Sequence, residues 1–203
     1  MKLAGSCLAV LLLRVSMLAG VCTADPLSGD RRHEFQFFGG YSPASTTLIG
    51  TTTGRRFVVA GFNYSYRCGA WEHVSLSYTA GAMPAAVLLQ PSYYGMPAHA
   101  VYGVGITPLG MTLDVARKHP LYPFFQVDGG IIASTERIPV NVTDATALNF
   151  LVDFGGGVKW HPSGRCYGIE LGYKFLHISN AFTTPVNPGV DNNVFYAGFL
   201  LFR

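Results

Sequence analysis

The chain has 203 residues and a net charge of +3, with charged residues at only 12% against 13% aromatics and 24 glycines. That length supports one domain with an interior, and that composition is unusual for a soluble enzyme and ordinary for a barrel bathed in lipid. Lys and Arg never run longer than a pair such as Arg55-Arg56, which excludes a nucleic-acid footprint.

Lys2, the apolar stretch from Leu8 to Val21 and the small-x-small triplet Cys22-Thr23-Ala24 read as a secretory signal over residues 1–24. The remainder, 25–203, reads as a single barrel domain. Beyond Ala24 no apolar run approaches the ~20 residues that a membrane helix requires, so a membrane crossing has to be made by strands. Cys68 and Cys166 lie beyond the leader, beside turns on opposite sides of such a barrel, and we expect no bond between them.

Period-two patterning predicts eight strands, near 33–42, 57–67, 71–83, 100–116, 122–134, 147–160, 166–179 and 193–202. The connections after the second, fourth and sixth strands, at 68–70, 117–121 and 161–165, are short. Those near 43–56, 84–99, 135–146 and 180–192 are long. This alternation predicts an all-β fold, an eight-stranded antiparallel transmembrane barrel of the outer-membrane type with its short turns on the periplasmic side.

On the sixth strand Leu148, Phe150, Val152, Phe154, Val158 and Trp160 share one face, and Asn149, Asp153, Gly155, Gly157 and Lys159 share the other. The seventh repeats the pattern, Tyr167, Ile169, Leu171, Tyr173 and Phe175 against Gly168, Glu170, Gly172 and Lys174. A lysine on the lipid face near the midplane costs about 2–4 kcal/mol, so the face with Lys159, Glu170 and Lys174 is the lumen. An eight-stranded lumen holds side chains and no solute channel. Asp128, Asp153 and Glu170 are expected to pair inside it with Arg67, Lys159 and Lys174. Pro108 shifts the parity of the fourth strand, and the last strand is apolar on both faces from Val194 to Phe202.

The same parity places His177 and Ser179 on the outer, lipid-facing row, ~6.6 Å apart by strand rise. They can act as base and nucleophile. A polar rim is the other reading, since a polar side chain near the interface costs only about 0–1 kcal/mol. His33, His73, His99, His119, His161 and His177 are scattered, with no pair at ligand spacing, so neither a metal nor a cofactor is expected.

The segment His177-Ile-Ser179-Asn180-Ala181, followed by Asn187-Pro188-Gly189-Val190-Asp191, resembles the active-site signature of the acyloxyacyl hydrolase family, the PagL-type lipid A 3-O-deacylases. Tyr102-Gly-Val-Gly-Ile-Thr-Pro108 and Pro123-Phe-Phe-Gln-Val-Asp-Gly-Gly130 are further echoes. The resemblance implies a bacterial outer-membrane ester hydrolase that removes the acyl chain at the 3-position of lipid A. Ser179 would be the nucleophile, His177 the general base, and Asp191, on the loop after the strand, the acid that orients the imidazole. The family's characterised enzymes have Glu at this last position, one methylene longer. Asn180 and the backbone N–H of Phe182 would form the oxyanion hole, and Tyr173 and Phe175 an acyl groove. The implied partners are the lipid A or lipopolysaccharide substrate and the outer membrane, with no nucleic acid and room for a homodimer. A structural or adhesive barrel, and an esterase or acyltransferase acting on another lipid, are the alternatives.

Overall fold

The computed structural model describes residues 32–116 and 119–203; the leader over 1–24 lies outside the described residues. These residues form strands and loops, with no helix among them. In chain order the strands are β1 (His33–Ser42), β2 (Ser45–Thr46), β3 (Arg56–Ala70), β4 (Val74–Gln90), β5 (His99–Val115), β6 (Leu121–Ile138), β7 (Thr146–Trp160), β8 (Tyr167–Ser179) and β9 (Gly189–Phe202). The eight long ones pair antiparallel with their neighbours, and β1 also pairs with β9, so the sheet closes into a barrel. Closure leaves no edge strand to be covered. The two-residue β2 lies on the start of β9, Ser45 opposite Asn192 and Thr46 opposite Asp191.

Short connections of three to six residues, after β3, β5 and β7, alternate with longer loops at 43–55, 91–98, 139–145 and 180–188. Several boundaries differ from the sequence expectation, among them the ends of β3 (Ala70) and β6 (Ile138), the start and end of β4, and the start of β9. Strand β4 runs on to Gln90, past Pro84, because the ladder to β5 shifts register between Met83 and Ala86 and both Pro84 and Ala85 face outward there. Strand β9 begins at Gly189, four residues early, which places Asp191 on a strand where a loop was expected. Pro108 does mark a parity change: the ladder to β6 shifts between Ile106 and Leu109, and Pro108 and Leu109 are both exposed.

The lumen has two halves. Toward the short turns it is ionic: Lys159 Nζ lies 2.8 Å from Glu34 Oε1, 3.0 Å from Asp114 Oδ1 and 3.9 Å from Glu170 Oε2. Glu170 also accepts hydrogen bonds from Gln36 Nε2 (2.7 Å) and the Tyr196 hydroxyl (2.6 Å). Lys174 pairs with Asp153 at 3.2 Å, and Asp128 accepts from Gln126. The lysine pairings follow the expectation, with Glu34 and Asp114 added. Toward the long loops the lumen is apolar, filled by Phe57, Val59, Leu88, Val101, Ile132 and Leu151 beside Leu176 and Ile178 of β8 and Val190 and Val194 of β9. This resolves the last strand's two apolar faces: Val194, Tyr196, Leu200 and Phe202 point into a packed interior, and Phe195 and Phe199 point out. Cys68 is an exposed free thiol, so no bond joins it to Cys166.

Candidate active site

The packed upper lumen is what holds the site. On β8 the inward Lys174, Leu176 and Ile178 alternate with Phe175, His177 and Ser179, so the lumen's apolar side chains pin the strand from behind. His177 stands on one rung with Val152 of β7 and Asp191 of β9; Ser179 stands on the next outward rung with Phe150 and Gly189. Val152 and Phe150 are exposed on the outer wall, which fixes the side the rungs face.

Across its rung, His177 Nδ1 lies 2.6 Å from Asp191 Oδ1. A carboxylate only accepts, so Nδ1 carries a proton, and in the neutral imidazole Nε2 is then the nitrogen with the free lone pair. The other carboxylate oxygen, Oδ2, accepts the backbone N–H of Ile49 (2.7 Å) and of Gly50 (2.9 Å). Asp191 is thereby fully buried on an outward-facing position. The Nε2 edge of the imidazole is turned along the sheet toward Gly189, the rung partner of Ser179. Among the described residues no hydrogen bond joins the Ser179 hydroxyl to that nitrogen. Such bonds are often long without substrate and tighten when it binds.

The two groups expected to form the oxyanion hole are engaged elsewhere. Phe182 N–H donates to Asn180 Oδ1 at 3.0 Å, and Asn180 Nδ2 lies within 2.6 Å of Thr184 Oγ1, 2.9 Å of Val186 O and 3.1 Å of Asp144 O. The turn that makes this possible has two consecutive residues at positive φ, Ala181 (51°) and Phe182 (60°). Each costs about 1–2 kcal/mol for a residue with a Cβ. As the turn stands, neither donor is offered to Ser179. Asn187, in the same loop, has its Oδ1 buried without a partner.

Of the two expected groove residues, Tyr173 borders a depression of about 720 Å³ on the outer wall with Phe125, Val127 and Phe154, floored by Gly155 to Gly157. Phe175 is only 3% exposed, packed on Phe154 with ring centroids 5.2 Å apart, and does not line that depression. Phe154, on the rung of Phe175, is four residues from the rung of Ser179, so the depression begins ~13 Å down the strand, toward the middle of a bilayer. Nearer the site the exposed apolar side chains include Phe150 and Val152 on its own rungs, Leu48 and Ile49 on one loop and Phe182 and Val186 on another. No group of three His, Cys, Asp or Glu side chains that could hold a metal occurs among the described residues. The sequence gives no warning of Ile49 and Gly50, because they act through backbone amides.

A closed barrel with a serine, an imidazole and a carboxylate on its outer wall belongs to the class of outer-membrane barrels, with the residue types of a serine hydrolase on the side that meets lipid. Residues 58–199 match the family described as lipid A 3-O-deacylase (PagL), and the chain belongs to that family. Among solved structures it is similar to that of the outer membrane enzyme PagL, with a TM-score of 0.61 at 15% identity over 81% of this chain and 97% of that one. It is also similar to Neisserial surface protein A, with a TM-score of 0.50 at 12% identity over 83% of this chain and 96% of that one. No curated protein matches it by sequence.

Proposed function

We propose that this protein is an outer-membrane lipid A 3-O-deacylase working from its lipid-facing wall. Ser179 Oγ attacks the carbonyl carbon of the ester at the 3-position, and His177 Nε2 takes the hydroxyl proton. The proton passes to the departing sugar oxygen, leaving the acyl group on Ser179. A water molecule, deprotonated by the same nitrogen, then releases the fatty acid and restores the serine. Asp191 holds Nδ1–H and stabilises the imidazolium that forms. The observation that carries this reading is the 2.6 Å bond between His177 and Asp191 on the outward face, since a ring nitrogen held by a carboxylate leaves Nε2 as the one that can take a proton.

The Phe182 N–H serves as an oxyanion donor once the ester's oxygen displaces Asn180 Oδ1 from it, and Asn180 Nδ2 serves as a second once it turns from Thr184 Oγ1, Val186 O and Asp144 O. The scissile chain lies against Phe150 and Val152, with Phe175 and Tyr173 further down the same wall. A lipid ester keeps its chains in the bilayer and its sugar at the surface, so a serine near the long-loop rim meets the bond where it lies, and a lumenal one would not.

The test is purified protein in detergent with lipid A and, separately, a panel of phospholipids. Release of a fatty acid from lipid A alone, lost in Ser179→Ala, is the expected result. Release from phospholipids and none from lipid A would replace the substrate, and activity retained in Ser179→Ala would remove the mechanism.

A further inference from the structure

The loop over 43–55 leaves β1, touches β9 twice and returns to β3. Thr46 pairs with Asp191, and Thr52 bridges Val190 in parallel. Between these anchors Ile49 and Gly50 give their N–H groups to Asp191 Oδ2. Thr51 N–H (3.0 Å) and Thr52 Oγ1 (2.8 Å) both donate to Gly189 O. The approach leaves no room for side chains: a Cβ at Gly50 would lie 2.6 Å from Gly189 O and 2.9 Å from Asp191 Oδ1. A Cβ at Gly189 would lie 2.6 Å from His177 Cε1 and 3.1 Å from Gly50 Cα. Neither glycine has a positive φ, so space, and not backbone freedom, is what the two positions supply.

We propose that loop 43–55 is a backbone clamp on the Asp191–His177 pair, with Ile49 and Gly50 as positioning residues and the Gly50–Gly189 contact as its seat. The inference rests on the reading that Asp191 orients His177. A carboxylate with no exposed surface, as Asp191 is, has no water to satisfy it, and every lone pair left unmet costs free energy. Two amides on Oδ2 meet that need and fix the carboxylate plane, so that Oδ1 faces Nδ1 and holds the imidazole where it stands against Gly189. Without them the carboxylate rotates and the imidazole loses its alignment, at a cost of the kind that an ångström of misplacement brings. The loop lies before residue 58, outside the span that the family match covers.

The test is Gly50→Val in the full-length protein, with deacylation kinetics and the low-field proton resonance of His177 Nδ1–H read together. The expected result is a kcat lower by about 100-fold or more with KM within about threefold, a shifted or lost Nδ1–H resonance, and an unchanged heat-modifiable mobility of the folded barrel. Tyr94→Ala, on the exposed tip of loop 91–98, should leave all of these as in the unaltered protein. If Gly50→Val does not fold, Gly50→Ala is measured against the same criteria. A kcat within about threefold together with an unmoved resonance overturns the clamp. Failure of the underlying reading has a different signature: Ser179→Ala and Asp191→Ala would then keep their activity, whereas failure of the clamp alone leaves those two inactive and the Gly50 variants active.

Discussion

Aspartate has one methylene fewer than glutamate, yet Asp191 reaches His177 at 2.6 Å because the two residues face each other across the β8–β9 ladder. Asp191→Asn keeps the shape and removes the charge, and an amide at Oδ1 can present an N–H to Nδ1 and so favour the other tautomer. We expect kcat to fall on the order of 10³–10⁴ with KM little changed; steady-state kinetics that stay within tenfold would contradict the role given to Asp191. Asp191→Glu should also lose activity despite keeping an acid, because the longer arm has to enter the space that the Gly50 backbone fills. The outward aim of His177 and Ser179 was legible from two-residue alternation alone. The rung that holds Asp191 was not, because Pro188-Gly189 ahead of it and Asn192-Asn193 behind it carry the composition of a turn. In the fold those asparagines are paired into β9, where Asn193 accepts from the Tyr173 hydroxyl at 2.6 Å.

Between strands, two clusters do the holding. Lys159 lies within salt-bridge distance of Glu34, Asp114 and Glu170. Lys159→Met removes the cation that three buried carboxylates share, and we expect it to lower stability by about 3–5 kcal/mol, read as an earlier urea midpoint for the barrel in vesicles; an unmoved midpoint would mean the cluster is not a structural tie. At the opposite end Arg55, itself buried, donates to Thr53 O (2.6 Å), Gln90 Oε1 (2.9 Å) and Asn141 Oδ1 (2.6 Å), joining the clamp loop to β4 and to loop 139–145. Arg55→Ala should open protease cleavage in residues 43–55 and 139–145 while the strands stay protected. Equal resistance in both proteins would show the loops to be held by other means. Lys159 and Lys174 announced their lumenal face through the energetic cost of the alternative. The apolar upper lumen gave no such signal, since a narrow barrel fills its interior with whatever packs, and a strand apolar on both faces hides its own parity.

At the scale of the whole molecule, the barrel turns a wall of exposed aromatics toward its surroundings, among them Phe37, Phe62, Phe125, Phe150, Phe154 and Phe195. The two tryptophans, Trp71 and Trp160, are exposed and sit at the short-turn end, where a girdle meets the interface. Lipids brominated near the headgroup should therefore quench their fluorescence more strongly than lipids brominated at the chain ends; the reverse order would misplace the barrel in the bilayer. The short and long connections were readable from the sequence because turn residues cluster; the backbone fold of loop 43–55 over β9 was not. The central claim, that a hydrolytic site on the outer wall acts on the lipid beside it, is tested most directly by mass analysis of lipid A from cells making this protein or its Ser179→Ala variant. We expect lipid A lighter by one 3-linked acyl chain with the former and full-mass lipid A with the latter. Identical lipid A from the two, with both barrels folded in the outer membrane, would contradict the account.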